Sequence, residues 1–253
     1  MAVHKRVVEP QIRLNCNRGA EMENERKADL ESSLIETLTS SQLPEVLQDV
    51  AEVALDSLLD EGIAKDVPIV GTIVRLGEIA VTVRDYFLVR KVLLFLEGLD
   101  KTTPEQREAF IRKVESDSKY QQRVGETIMM LLDRYDHIDK ASLMSKVLCA
   151  CIEGEITYDE FLRISTAIDR AFIEDLNELL HYFASEEINR ELGNRRNRTT
   201  RNVYMSNLSD FYVLTEEQAE DSGLEYPQIY HFNQYAIKFA KVVLGDRFHD
   251  GRW

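Results

Sequence analysis

Apolar residues recur at three- and four-residue intervals along most of this chain, the signature of amphipathic helices. Leu30, Leu34, Ile35 and Leu38 form one stripe over residues 23–39, and Val46, Leu47, Val50, Val53, Ala54 and Leu58 form a second behind Pro44. Thr103-Pro104-Glu105 reads as a helix start: a cap residue, a proline at the first position and an acid in the first turn. That helix carries Phe110, Ile111 and Val114, and further helices are expected near residues 120–135 and 141–152. Thr157 and Glu160 have capping-box spacing. From there Phe161, Ile164, Ile168, Ala171, Phe172, Leu176, Leu179 and Phe183 trace one face of a single long helix.

Residues 67–99 depart from this rhythm, being apolar nearly all round while Arg75, Glu78, Arg84 and Asp85 punctuate them. A continuous helix over this stretch would be roughly 45 Å long. Gly71 and Gly77 each weaken it by about 1 kcal/mol relative to Ala, and Gly98 is a natural stop. A membrane span needs about 20 largely apolar residues. Arg75 and Glu78 would fall mid-membrane, at about 2–3.5 kcal/mol each. Three residues apart on a helix, they form a polar pair. The favoured reading is the buried central helix of a bundle, and the alternative is a membrane-active helix that the bundle releases.

The pattern changes again after Asn189. Residues 190–202 are basic and lack an apolar period, which predicts a linker or loop. Short β-friendly runs follow at Val203–Met205, Phe211–Leu214 and Ile229–Phe232. Thr215 and Gln218 suggest a short helix, and Ala236, Ile237, Phe239, Ala240, Val243 and Leu244 a last one. The expected organisation is a basic, unfolded arm over residues 1–22, an all-helical bundle over 23–189, the basic linker, and a small α/β module over 203–253. The module's order, helix, turn, helix, β-ribbon, helix, is winged-helix-like. Met22 offers an alternative start that would leave the arm out of the native chain. The fold class is therefore mainly α.

Composition narrows the function classes. The net charge of −14 opposes general polyanion binding, because the whole-molecule field repels phosphates. The cysteines, Cys16, Cys149 and Cys151, are few and odd in number, which fits reduced, buried thiols in a cytoplasmic protein. No Walker loop, nucleophile elbow, HExxH or dinucleotide fingerprint is present.

Candidate chemistry is sparse. The run GEITYDEF looks like the second half of an EF-hand with Glu160 as its acid, but the preceding ligand positions fall on Cys149, Cys151 and Glu153, and thiols do not suit calcium. Residues 148–164 resemble the mid-domain turn of TerB-like helical proteins of tellurite-resistance and stress operons, where a Gly-x-Ile turn leads into a Glu-bearing helix. That resemblance implies an all-helical domain in stress or defence, without the family's acidic metal-binding residues. Glu178 and His181 match one ExxH element, and a di-iron bundle needs two. Asp133, Asp136, His137 and Asp139 gather in one turn, where they could hold a cation, but helix caps and solvated charges explain them as well.

Arg190, Arg195, Arg196, Arg198 and Arg201 form the one basic cluster of an acidic chain, with Tyr204, Phe211 and Tyr212 nearby. Arginine binds carboxylates and phosphates bidentately, so Arg195, Arg196, Arg198 and Arg201 are the expected contacts to a partner or phosphate. These features together predict a non-enzymatic helical interaction or regulatory protein. It would have no cofactor or metal, and its partner would be a protein or a second copy of itself. The alternatives are the membrane-active effector and a nucleic-acid-binding regulator using the basic loop.

Overall fold

A computed structural model of the chain describes residues 25–41, 67–76, 83–120, 123–186, 190–213 and 228–249. The expected arm, the helix behind Pro44, the polar residue Glu78 and the 215–218 capping box lie outside them. The described chain is mainly helical, with a small antiparallel sheet near its C-terminus. In order come α1 (25–39), α2 (Pro68–Leu76), α3 (Val83–Glu97), α4 (Pro104–Glu115) and α5 (Val124–Arg134). Then follow α6 (Asp139–Ile152), α7 (Tyr158–Arg170), α8 (Ile173–Ala184) and α9 (Arg190–Asn202). A 3-10 turn (Val203–Ser206), β1 (Ser209–Val213), β2 (Gln228–Phe232) and α10 (Gln234–Leu244) complete it. Among the described residues no helix is long and apolar enough to cross a membrane.

The chain forms two compact units. The first comprises residues 1–89 and 107–130, the second 90–106 and 131–253. The division does not fall at residue 189: the hairpin and α10 share their unit with α6, α7 and α8.

In the first unit Leu34, Leu38, Ile69, Val70, Ile73, Val89, Phe110, Ile111 and Ile128 are buried. Polar groups fix how α1 meets its neighbours. The Ser33 and Thr72 hydroxyls lie 2.6 Å apart, Ile69 N–H donates to Thr37 Oγ1 at 3.2 Å, and the buried Arg107 donates through Nε to the Leu38 carbonyl at 2.5 Å. The start of α4 is as expected, with Thr103 and Gln106 exchanging side-chain-to-backbone hydrogen bonds at 2.8 and 3.3 Å.

The apolar stretch 67–99 serves both cores. Ile69, Val70, Ile73 and Val89 are buried in the first unit, and Val92, Leu93, Phe95, Leu96 and Leu99 in the second. Arg75 is not inside the core. It is exposed at the end of α2 and pairs with Asp29 at 3.5 Å. Helical geometry explains this: Ile69, Val70 and Ile73 take the inward side, and Arg75 falls off that stripe.

Among the described residues, α6 is buried on most of its circumference. Ten of its fourteen residues are buried: Lys140, Ala141, Leu143, Met144, Ser145, Val147, Leu148, Cys149, Ala150 and Cys151. Small side chains let neighbours approach closely. A Cβ on Gly98 would collide with Oγ and Cβ of Ser145, and Cys149 Sγ lies 3.4 Å from the Gly98 carbonyl. Gly98 thus ends α3, as its sequence position suggests, and also seats the following turn on α6.

The turn after α6 is a Schellman motif. Glu155 N–H donates to the Ala150 carbonyl at 2.8 Å and Gly154 N–H to Cys151 at 3.2 Å, with Gly154 at φ 81°. A capping box follows directly: Thr157 N–H donates to Glu160 Oε2 at 2.8 Å and Glu160 N–H to Thr157 Oγ1 at 3.3 Å. One long helix from Thr157 to Phe183 does not form. Ala171 and Phe172 are extended, Glu174 and Asp175 open a new first turn, and Phe172 is exposed. The apolar spacing runs through this break because both helices face the same core.

Two further expectations are corrected. Residues 190–202 are helix α9, not a linker or loop. Among the helix's described side chains Thr199 and Thr200 are the buried ones, and hydropathy does not score threonine as core. Val203–Met205 belongs to a 3-10 turn, closed by Asn207 in the left-handed region at φ 63°.

Gly98→Ala is expected to destabilise the fold by about 1–3 kcal/mol, the usual range for overpacking. Urea denaturation of Gly98→Ala, Ser145→Gly and the double variant checks this. The double variant should lose less than the sum of the singles, and strict additivity would show that the two residues do not compete for space.

Candidate functional site

The basic helix α9 lies along α8, and its side chains separate by helical position. Arg195, Thr199 and Asn202 occupy one side. Arg195 pairs with Glu178 at 3.5 Å, and Asn202 donates to Asp175 at 2.8 Å. Arg196, Thr200 and Val203 occupy the next side. The Arg196 guanidinium stands 5.6 Å from the centre of the Tyr182 ring, and its Nη2 donates to His231 Nδ1 at 3.3 Å. Thr200 and Val203 are fully buried, and Ser209 Oγ donates to the Thr200 carbonyl at 2.5 Å.

Arg198 and Arg201 are exposed and have no ion-pair partner among the described residues. The sequence-predicted cluster is therefore divided. Arg195 and Arg196 hold α9 against α8 and β2, while Arg198 and Arg201 face outward.

The hairpin next to α9 is aromatic on both faces. In register, Phe211 pairs with Tyr230 and Asp210 with His231. Phe211 and Tyr230 rings are 5.2 Å apart, and Tyr204 from the 3-10 turn lies 5.3 Å from Tyr230 and 6.3 Å from Phe211. On the other face Tyr212 meets His231 edge-on at 5.7 Å. Phe232 reaches Tyr182 and Phe183 of α8, and Phe183 also stacks on Phe248.

Asn233 ties these parts together. Its Oδ1 caps α10 by accepting from Tyr235 and Ala236, and its Nδ2 donates to the Asn207 carbonyl at 3.0 Å. Lys238 of α10 bonds Glu160, which helps hold that carboxyl below the ordinary range. Glu160 is thus engaged by the α7 cap and by Lys238.

What remains outside is an apolar surface. Met205 is 80% exposed and Val213 66%, with Tyr204 and Phe211 each more than a third exposed, while Tyr212 is exposed on the opposite face of the sheet. Arg198 and Arg201 stand three residues apart on α9, which runs directly into the 3-10 turn of Tyr204 and Met205. The exposure of Met205 and Val213 leaves no sequence signal, because an apolar residue in a strand-like run reads as core.

The other candidates have structural partners. His181 is exposed, and Glu178 turns to Arg195, so the two do not converge on one point. Asp136 pairs with the fully buried Lys140 at 2.6 Å. Burial works to raise its carboxyl, but the hydrogen bond and charge of Lys140 outweigh this and hold it low. Among the described residues no group of three or more His, Cys, Asp or Glu side chains is placed to hold a metal ion.

Compared with protein-family models, curated proteins and solved structures, the chain matches none.

His231 titrates below its ordinary value, first because of partial burial and then because of the Arg196 charge. A His with a lowered folded pKa contributes stability above its unfolded value of about 6.5, and that contribution is lost as pH falls through the folded value. In Arg196→Gln the His231 ring should titrate part of the way back up, which NMR of the ring protons measures. An unchanged His231 titration would place Arg196 outside its electrostatic environment.

Proposed function

We propose that this chain is a non-enzymatic helical interaction protein whose partner-binding face comprises Tyr204, Met205, Phe211 and Val213. One observation carries the reading: these four apolar side chains are exposed on two adjoining elements, the 3-10 turn and one face of β1. Single exposed apolar residues are ordinary on protein surfaces, whereas a contiguous patch marks an interaction site. Tyr, Phe, Met and Arg are the residue types enriched at interfaces.

The platform behind the patch favours recognition by a pre-formed surface. Tyr204 is braced by Phe211 and Tyr230, and β1 is paired to β2 along its length. Side chains held in this way lose little conformational freedom on binding, which favours affinity for a given area.

A photo-crosslinking residue placed at Met205 or at Val213, in the native cells, tests this. Both positions should yield one and the same discrete adduct, either with a second copy or with another protein. The exposed position Lys113 on α4 should not yield it. Absence of adducts at both patch positions, or the same adducts from all three, would sink the reading.

A further inference from the structure

We infer that the partner docks as an acidic segment carrying an aromatic or aliphatic anchor, with its carboxylates on Arg198 and Arg201 and its anchor on the patch of Met205, Phe211 and Val213. This rests on the reading of that patch as the binding face and adds the chemistry of what it binds.

Charge complementarity carries the inference. The chain has net charge −14, and its neighbourhood supplies acids freely. Arg195 has found Glu178, and Arg134, Arg75 and Arg123 have found Asp169, Asp29 and Glu31. Arg198 and Arg201 are exposed and have no such partner among the described residues. They stand three residues apart on α9, which leads directly into the 3-10 turn of Tyr204 and Met205, so carboxylates on a short segment can reach both while its neighbours reach the patch. Asp210 does not neutralise this side, because alternation along β1 places it on the face opposite Phe211 and Val213.

The same observations disfavour a nucleic acid. The aliphatic Met205 and Val213 add no π-face for a base beside Tyr204 and Phe211, and two arginines give only a small phosphate footprint. A peptide with a few carboxylates and an apolar anchor uses both halves of the surface.

The test is selection of peptides from a phage-displayed random library on the immobilised full chain. Binders are then compared on Met205→Asp/Val213→Asp, on Arg198→Glu/Arg201→Glu and on the milder Arg198→Gln/Arg201→Gln. Circular dichroism melts check that each variant keeps its helices.

Peptides that need Met205 and Val213 should be rich in Asp and Glu beside Phe, Leu or Trp. They should weaken about tenfold or more on charge reversal and less on the glutamine variant, in the range of an interface hot spot. Patch-dependent peptides that are neutral or basic, or that ignore the arginine changes, would overturn the inference while leaving the binding face standing. If no selected peptide depends on Met205 and Val213, both fall. Random-sequence oligonucleotides are titrated in parallel by fluorescence anisotropy, and oligonucleotides that displace the peptides through Arg198 and Arg201 would overturn it in favour of a nucleic acid.

Discussion

Burial of α6 on most of its circumference is the constraint on which the second unit depends. A helix surrounded by neighbours must be slim where they approach and must satisfy any polar group it carries inside. Ala141, Ser145, Cys149, Ala150 and Cys151 supply the slimness. The Gly98 turn sits so close to Ser145 that even a methyl group has no room. The one charged residue buried in α6, Lys140, lies at its first turn, where its ammonium reaches the Asp136 carboxylate and, at 3.1 Å, the Asp169 carbonyl.

A second buried ammonium completes that corner. Lys91 donates to the carbonyls of Asp133 at 3.3 Å and Tyr135 at 2.9 Å. Carbonyls near the end of a helix lack intrahelical donors, and a cation there also meets the negative end of the helix dipole. Arg134 bonds Asp169 on α7, and the Tyr135 hydroxyl donates to the Ser165 carbonyl at 3.3 Å. The polar turn between α5 and α6 is thus fixed from three sides by groups that sequence alone spreads over eighty residues. Of its acids, Asp136 is partnered with the Lys140 ammonium of the chain itself.

Local signals were legible wherever the physics was local. The Thr103–Glu105 start, the Thr157–Glu160 capping box, the stop at Gly98 and the mainly helical class with its small C-terminal sheet all follow from spacing and residue type. The failures share a different cause. Residues 190–202 carry no apolar period, and among the described side chains α9 buries Thr199 and Thr200, so the hydropathy pattern is blank although this side is packed. The α7–α8 break is invisible because both helices bury Phe, Ile and Leu against one core. The stretch 67–99 outscored α6 in hydrophobicity because a helix buried by small residues is less apolar than one buried by large ones. Of the candidate site, the arginine cluster and its aromatic neighbours were visible, but Glu178, Tyr182 and His231 meet Arg195 and Arg196 only through tertiary folding.

The division of the arginines follows from helical geometry acting on a short basic run. Successive residues of a helix point about 100° apart, so a cluster of this density cannot place every guanidinium against the same neighbours. Two meet α8 and β2, where an acid, an aromatic ring and a neutral imidazole nitrogen receive them. The remaining described two are turned away from that contact by the same rotation. Arginine suits both positions, because its planar fork binds carboxylates and its face packs on rings. The packing of α9 therefore sets the exposed pair in fixed register with the aromatic turn that follows, and a structural requirement of the helix generates the polar edge of the apolar patch.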